Sequence, residues 1–274
     1  MHITRRNIMQ LSMITAAASA MQTSSASASV ATDANSSSND LKSTTLIESQ
    51  HPRIVQLAQD ITRTAQTQVQ VAVMLHDWVR DEIAFGIPSG FYDTTATQTL
   101  DAKVGYCNTK VTLFQALLRA KSIPTRMRMM DLSAQVLHGL FDPGTQYVDH
   151  AIAEVWLNGN WVLVDSYVVD RRLASAAARR LSNTGALTGL GVHINGQSQW
   201  DGQSDNFIQC LNDGSIKNYV LRDHGVFTDV TDFYERVSAA RNRKKFFNTL
   251  AIRIGASNIN QQIQKVRNSF RGAF

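Results

Sequence analysis

The chain has 274 residues, 27 Lys and Arg against 22 Asp and Glu, and 43% hydrophobic residues, which excludes a disordered polyelectrolyte. Its 15 glycines and 4 prolines exclude collagen-like and proline-rich architectures. Two cysteines exclude a disulfide scaffold and a four-cysteine zinc site; at most they form one bridge, or one of them carries chemistry.

The first residues read as a leader. Arg5-Arg6 precede Asn7 and two apolar residues, and a weakly apolar run over 8–20 follows, too short to span a bilayer. Small-x-small sequences suited to cleavage come next, at Ala18-Ser19-Ala20 and Ala26-Ser27-Ala28. Charge, apolar stretch and cleavage site in this order predict a twin-arginine-type signal peptide over 1–28 and export to the periplasm or beyond. Residues 29–45 are mainly Ser, Thr, Ala and Asn, and read as a disordered linker.

Helical spacing begins at Ile54, Leu57, Ala58 and Ile61. It resumes over 69–83, where Val71, Leu75, Trp78 and Val79 share a face. Gly86, Pro88 and Gly90 then break the pattern into a loop. Next, Gly105-Tyr106-Cys107-Asn108-Thr109-Lys110 leads into Val111, Phe114, Leu117 and Leu118, a single apolar helical face closed by Ile123-Pro124. Cys107 therefore opens a helix, where unpaired N–H groups and the positive end of the dipole favour a thiolate. Gly105 leaves room for another backbone or a substrate to come close. A buried thiol acting as a small hydrophobe is the competing reading of Cys107.

Residues 149–157 read as a strand, Asn158-Gly159 as a hairpin turn, and 161–165 as the returning strand. A two-residue turn pairs Leu157 with Asn160 and Trp156 with Trp161, and continues to Ile152 opposite Asp165. His150, Ile152, Glu154 and Trp156 then share a face with Trp161, Leu163, Asp165 and Tyr167, and His150 becomes the diagonal neighbour of Asp165. The other face carries Ala151, Ala153, Val155, Leu157, Val162 and Val164, and should pack on the core. A three-residue loop would move Asp165 to the other face. A solvated His and a solvated Asp at the strand ends is the alternative.

Taken together these residues form a Cys-His-Asp arrangement. His150 would take the thiol proton, Asp165 would orient the ring, and the Cys107 N–H would serve as an oxyanion donor. A second donor is expected, with Gln98 and Trp78 as guesses.

Gly105-Tyr106-Cys107-Asn108, then Ile123-Pro124-x-Arg126, His150-x-x-x-Glu154-Val155, Trp161 and Val164-Asp165 resemble the core of the transglutaminase-like superfamily. Trp78-Val79 through Ile83-Ala84-Phe85 fits the helix and strand that precede the cysteine there. The resemblance spans about 69–170 and implies a papain-like α+β fold, with the nucleophile on a helix and His and Asp on adjacent strands. It assigns the catalytic roles to Cys107, His150 and Asp165. Looser likeness to a bacterial branch continues at Trp200-x-Gly202, Phe207-Ile208-Gln209, Gly225-Val226-Phe227 and Asp232-Phe233-Tyr234. Ile152 replaces an aromatic common two residues after the histidine, a departure that bears on substrate contacts.

The remaining candidates carry less. Cys210 lies in a short apolar run and reads as core; a Cys107–Cys210 bridge would consume the nucleophile. His138, His193 and His224 are rival bases, read as loop positions without a positioned carboxylate. No metal-ligand spacing and no phosphate loop appears, so neither metal nor cofactor is expected. The segment 228–274 holds nine Lys and Arg against three acids. Such a basic, partly amphipathic stretch attracts membrane surfaces or nucleic acid, although a solvated face packed on the domain is the more frequent outcome. Export argues against nucleic acid and leaves weak membrane-surface contact.

The expected organisation is a signal over 1–28, a linker over 29–45, a catalytic core over 46–170 and a C-terminal extension over 171–274 that wraps the core. The expected function is acyl transfer on a peptide or protein amide through a thioester on Cys107, as a hydrolase or a transglutaminase. A binding module that keeps the fold without catalysis is the alternative.

Overall fold

The computed structural model describes residues 37–209, 219–242, 244 and 255–269. The leader, most of the linker, Cys210 and the apolar positions Phe246 to Ile254 of the basic segment lie outside these. All described residues belong to one unit, 32–274.

The end of the segment read as a linker is built into the body. Residues Ser38–Leu41 form a 3-10 turn with Asp40 buried, and the Arg119 guanidinium donates to the Lys42 carbonyl at 2.5 Å. Composition marks this stretch as polar, but a buried arginine needs carbonyl acceptors and takes one here.

His51 caps α1 (Pro52–Ile61), with Pro52 in the first helical turn where its missing N–H costs nothing. Thr67 caps α2 (Gln68–Glu82), and β1 (Ala84–Phe85) follows. The buried residues of α2 are Ala72, Leu75, His76, Val79 and Arg80, so a histidine and an arginine lie inside, while Val71 and Trp78 pack only partly buried against the core. After α3 (Ala96–Ala102), β2 (Val104–Gly105) pairs in parallel with β1 and delivers the chain to α4 (Cys107–Ala120).

Helix α4 departs from the one-faced helix that its spacing predicts. Every residue from Cys107 to Arg119 is buried, including Lys110, Gln115 and Arg119. The sheet covers one side, and α1, α2 and α3 cover the others. A helix buried all round need not be apolar all round when its polar groups find partners. Lys110 Nζ donates to the Ile83 carbonyl at 2.6 Å at the end of α2.

Strands β3 (Thr125–Ser133), β4 (Tyr147–Leu157) and β5 (Asn160–Val164), with β8 (Val220–Phe227) from far along the chain, form an antiparallel sheet in the order β5-β4-β3-β8. Asn158 and Gly159 both have positive φ, 51° and 79°, as the tight turn of a twisted hairpin requires. The register is Leu157 with Asn160, Trp156 with Trp161 and Ala153 with Val164, as the two-residue turn predicts. Alternation splits the core in two. Met127, Met129, Ala151, Ala153, Val155 and Val164 join the helices, whereas Met130, Leu132, Ile152 and Phe207 form a second cluster.

The short pair β6 (Thr188–Gly189) and β7 (Val192–His193) follows α5 (Arg171–Thr184). Helix α6 (Val230–Arg236) succeeds β8, and α7 (Ala256–Asn268) is the last element. The buried Arg267 of α7 donates to Asp170 at 2.6 Å and to the Phe85 carbonyl at 2.9 Å, which docks the helix against β1 and the start of α5.

Candidate active site

Cys107 is the first residue of α4. The Tyr106 N–H donates to Thr109 Oγ1 at 3.1 Å and so pins the helix start. Gly105 is needed for this closure: a Cβ there would lie 2.6 Å from Thr109 Oγ1. The space left by the missing side chain is thus filled by the helix itself. The thiol is 7% exposed, 3.4 Å from Asn108 Oδ1 and 3.7 Å from the Asp149 carbonyl oxygen.

His150 lies on β4, buried, with Nε2 2.9 Å from Asp165 Oδ2. A carboxylate can only accept, so Nε2 carries the proton and Nδ1 is the basic nitrogen. Asp165 lies just beyond the ladder, which ends at Val164 opposite Ala153. Its own N–H donates to the Asn206 carbonyl at 3.1 Å. Its carboxylate accepts from the Ile208 N–H at 2.5 Å and the Gln209 N–H at 3.3 Å. Backbone from the 206–209 loop therefore holds both oxygens of the acid, Oδ1 through Ile208 and, beside His150, Oδ2 through Gln209.

Ser166, the next residue, is held as well. His76 Nδ1 lies 2.8 Å from Asp77 Oδ1, so Nε2 accepts the Ser166 hydroxyl at 2.7 Å. Burial keeps the His76 ring neutral, lowering its pKa against the opposing pull of Asp77. Its ring packs among Tyr167, Phe114 and Trp200.

Cys107 and His150 border the same cleft. Phe85, Ile87 and Tyr106 line it from the helical side, Leu132, Val136 and Val148 from the second apolar cluster, and Ile259 of α7 closes it. Asp149 and Gln209 are polar members of the wall. Asn108 Nδ2 donates to the Tyr234 hydroxyl at 3.2 Å, and that hydroxyl donates to Asp149 Oδ2 at 2.9 Å. Burial pushes the Tyr234 and Tyr106 phenols well above their usual pKa.

Several expectations need correction. Gln98 caps α3 through the Thr95 N–H, and Trp78 lies beneath Lys103; neither lines the cleft. His224 and His193 are strand residues rather than loop residues, and His224 does face a carboxylate, Asp131 Oδ1, at 3.0 Å. His224 falls at an irregularity in the β3–β8 ladder, between the pairs of Gly225 with Met129 and Asp223 with Met130, and local sequence does not encode that placement. His193 is buried, its Nδ1 accepting from the Asn195 N–H at 3.1 Å, and His138 is exposed. None of these three borders the cleft. Among the described residues, no group of three His, Cys, Asp or Glu side chains could hold a metal ion.

Residues 55–166, a span that includes Cys107, His150 and Asp165, match the model of the transglutaminase-like superfamily. This segment is a transglutaminase-like core. No curated protein matches the sequence. The chain is similar to a candidate cysteine protease from Cytophaga hutchinsonii, with 16% identity and a TM-score of 0.43 over 70% of this chain and 47% of that one. It is also similar to a candidate protease from Parabacteroides distasonis, with 16% identity and a TM-score of 0.33 over 43% of this chain and 24% of that one. The chain thus spans about half of the first and a quarter of the second. The transglutaminase-like core ends directly after Asp165-Ser166, so the 206–209 loop that holds Asp165 comes from outside the matched segment.

Proposed function

We propose that this chain is a thiol-dependent enzyme that transfers acyl groups from amides through a thioester on Cys107. The observation that carries the reading is a thiol at a helix start bordering one cleft with a histidine whose Nε2 is bound to a buried aspartate. His150 Nδ1 takes the thiol proton, and the resulting thiolate attacks the amide carbonyl carbon. The C–N bond then breaks, the leaving amine takes the proton from His150, and a thioester remains. The N–H at the start of α4 supports the oxyanion. Water, deprotonated by His150, completes a hydrolysis; a primary amine completes a transamidation through the same thioester. Hydrolysis is the favoured outcome because water needs no second binding site.

The test has two parts. Alkylation of Cys107 by iodoacetamide at neutral pH should slow in His150→Ala, which lacks the proton acceptor. Incubation with peptide amides, with and without a primary amine, should yield the acid or the amine adduct by mass. Equal alkylation of the parent and His150→Ala together with unchanged amides would overturn the reading.

A further inference from the structure

We propose that α7 completes an apolar subsite beside Cys107, with Ile259 as its specificity-determining residue, and that the acyl donor fills it with a large apolar side chain. The proposal rests on the thiol-enzyme reading above and names the substrate chemistry of that site.

The walls of the cleft carry the argument. Phe85 and Ile87 line it together with Leu132, Val136 and Val148, and Ile259 lines it from α7. These residues belong to both apolar clusters, so the cleft lies where the two meet. Among the described residues no Lys or Arg lines it. The Asp149 carboxylate and the Gln209 amide, which could recognise polar groups, are engaged within the protein. Asp149 accepts from the Tyr234 hydroxyl at 2.9 Å, and Gln209 Nε2 donates to the Gly191 carbonyl at 2.8 Å. A polar side chain entering such a cleft loses its water with little to replace it, whereas an apolar one gains with each methylene removed from water.

Helix α7 is tied to this wall. Asn260, the residue after Ile259, brackets Ile87: its Oδ1 accepts the Ile87 N–H at 2.8 Å, and its Nδ2 donates to the Ile87 carbonyl at 2.9 Å. Gly86 permits the approach, since a Cβ there would lie 2.7 Å from Asn260 Oδ1. Arg267 adds its bond to the Phe85 carbonyl at 2.9 Å. The helix is thus fastened to two residues that line the cleft, and Ile259, 6% exposed, is held in register with them. The match to the transglutaminase-like core ends at residue 166, so Ile259 is a contribution of the C-terminal extension.

Two alkylating agents of equal length test the subsite without knowledge of the natural substrate. They are N-butyl-iodoacetamide and N-(2-methoxyethyl)-iodoacetamide, which differ by an ether oxygen in place of a methylene. Rates are read at Cys107 by peptide mass and divided by those of a small free thiol, so the ratio between reagents cancels the thiolate fraction. The parent should favour the butyl reagent about tenfold. Ile259→Ala, which removes part of the wall, should lower that preference about threefold, and Ile259→Val, which keeps most of it, should retain it. Peptide amides with Leu or Asn at the residue carrying the scissile carbonyl should follow the same order, with kcat/KM about tenfold higher for Leu. Equal normalised rates for the two reagents in the parent overturn the subsite. A butyl preference that Ile259→Ala shares undiminished with the parent overturns the role of α7, and equal turnover of the Leu and Asn amides overturns the placement on the acyl donor. Alkylation of Cys107 that is equal in parent and His150→Ala, with both amides left intact, sinks the enzyme reading instead, whatever the reagent ratio.

Discussion

Asp165 accepts hydrogen bonds from two directions: His150 Nε2 at 2.9 Å on one side, and the Ile208 N–H at 2.5 Å on the other. The acid is thereby fixed before any substrate arrives, and the histidine is held in one tautomer. This is the arrangement that a general base beside a thiol requires. Four measurable consequences follow from this geometry and from the buried charges around it.

Asp165→Asn keeps the size of the side chain and can keep the acceptor for Ile208. It no longer presents a carboxylate to His150, so the tautomer is no longer enforced. Amide turnover should fall by about 10³-fold or more, with little change in thermal stability. A variant retaining a tenth of parental kcat/KM would show that Asp165 does not orient the base.

Ser166→Ala removes the hydroxyl that His76 Nε2 accepts in a site closed to water. The unsatisfied ring nitrogen should cost about 1–3 kcal/mol in urea denaturation. Since Ser166 adjoins Asp165, turnover should fall as well. Stability equal to the parent would show that His76 does not anchor this turn.

Lys110 makes stability depend on pH. Burial lowers its pKa to about 7 in the folded chain, with Asp170 opposing and Arg267 assisting that shift. In the unfolded chain it titrates near 10.4. The unfolded state therefore binds more protons between these values, and folding stability rises with pH across that window. The slope from this one group is about 1.4 kcal/mol per pH unit, and its penalty is greatest below pH ~7. Lys110→Met should remove that slope. Between pH 6 and 10, the urea midpoint of the parent should rise relative to that of the variant as pH rises; parallel curves would refute the assignment.

Arg267→Ala should undock α7. It strands the Asp170 carboxylate, which burial pushes up but the hydrogen bonds and charge of Arg267 bring below the usual range. Removing one member of a buried pair costs about 3–5 kcal/mol. The part of stability that Asp170 supplies is present above the unfolded carboxylate pKa and lost as pH falls through its lower folded value. Loss of Arg267 should thus narrow the gap between neutral and acid stability. Because α7 carries Ile259 over the cleft, alkylation of Cys107 by a bulky maleimide should also become faster. An unchanged rate would mean that α7 does not control access.

Local chemistry was legible in the sequence. Asn158-Gly159 sets its hairpin because two positive φ values are needed at the turn, and the register of Trp156 with Trp161 follows from counting outward. Ile123-Pro124 and Gly105 bracket α4, and so place Cys107 at a helix start. Each of these depends on residues a few positions apart. The buried face of α2 was legible only in part, because His76 belongs to it through Ser166, ninety positions away.

What the sequence by itself determined is therefore the set of candidate groups and the local elements that carry them. Tertiary structure alone decided how those groups are held. The Ile208 and Gln209 N–H groups reach Asp165 from 43 and 44 positions away, Tyr234 reaches Asp149 from 85, and Arg267 reaches Asp170 from 97. Neither periodicity nor turn chemistry encodes such partners, since both describe neighbours along the chain. Buried polar groups must be satisfied wherever packing leaves them, and only the assembled core shows which distant donor does so.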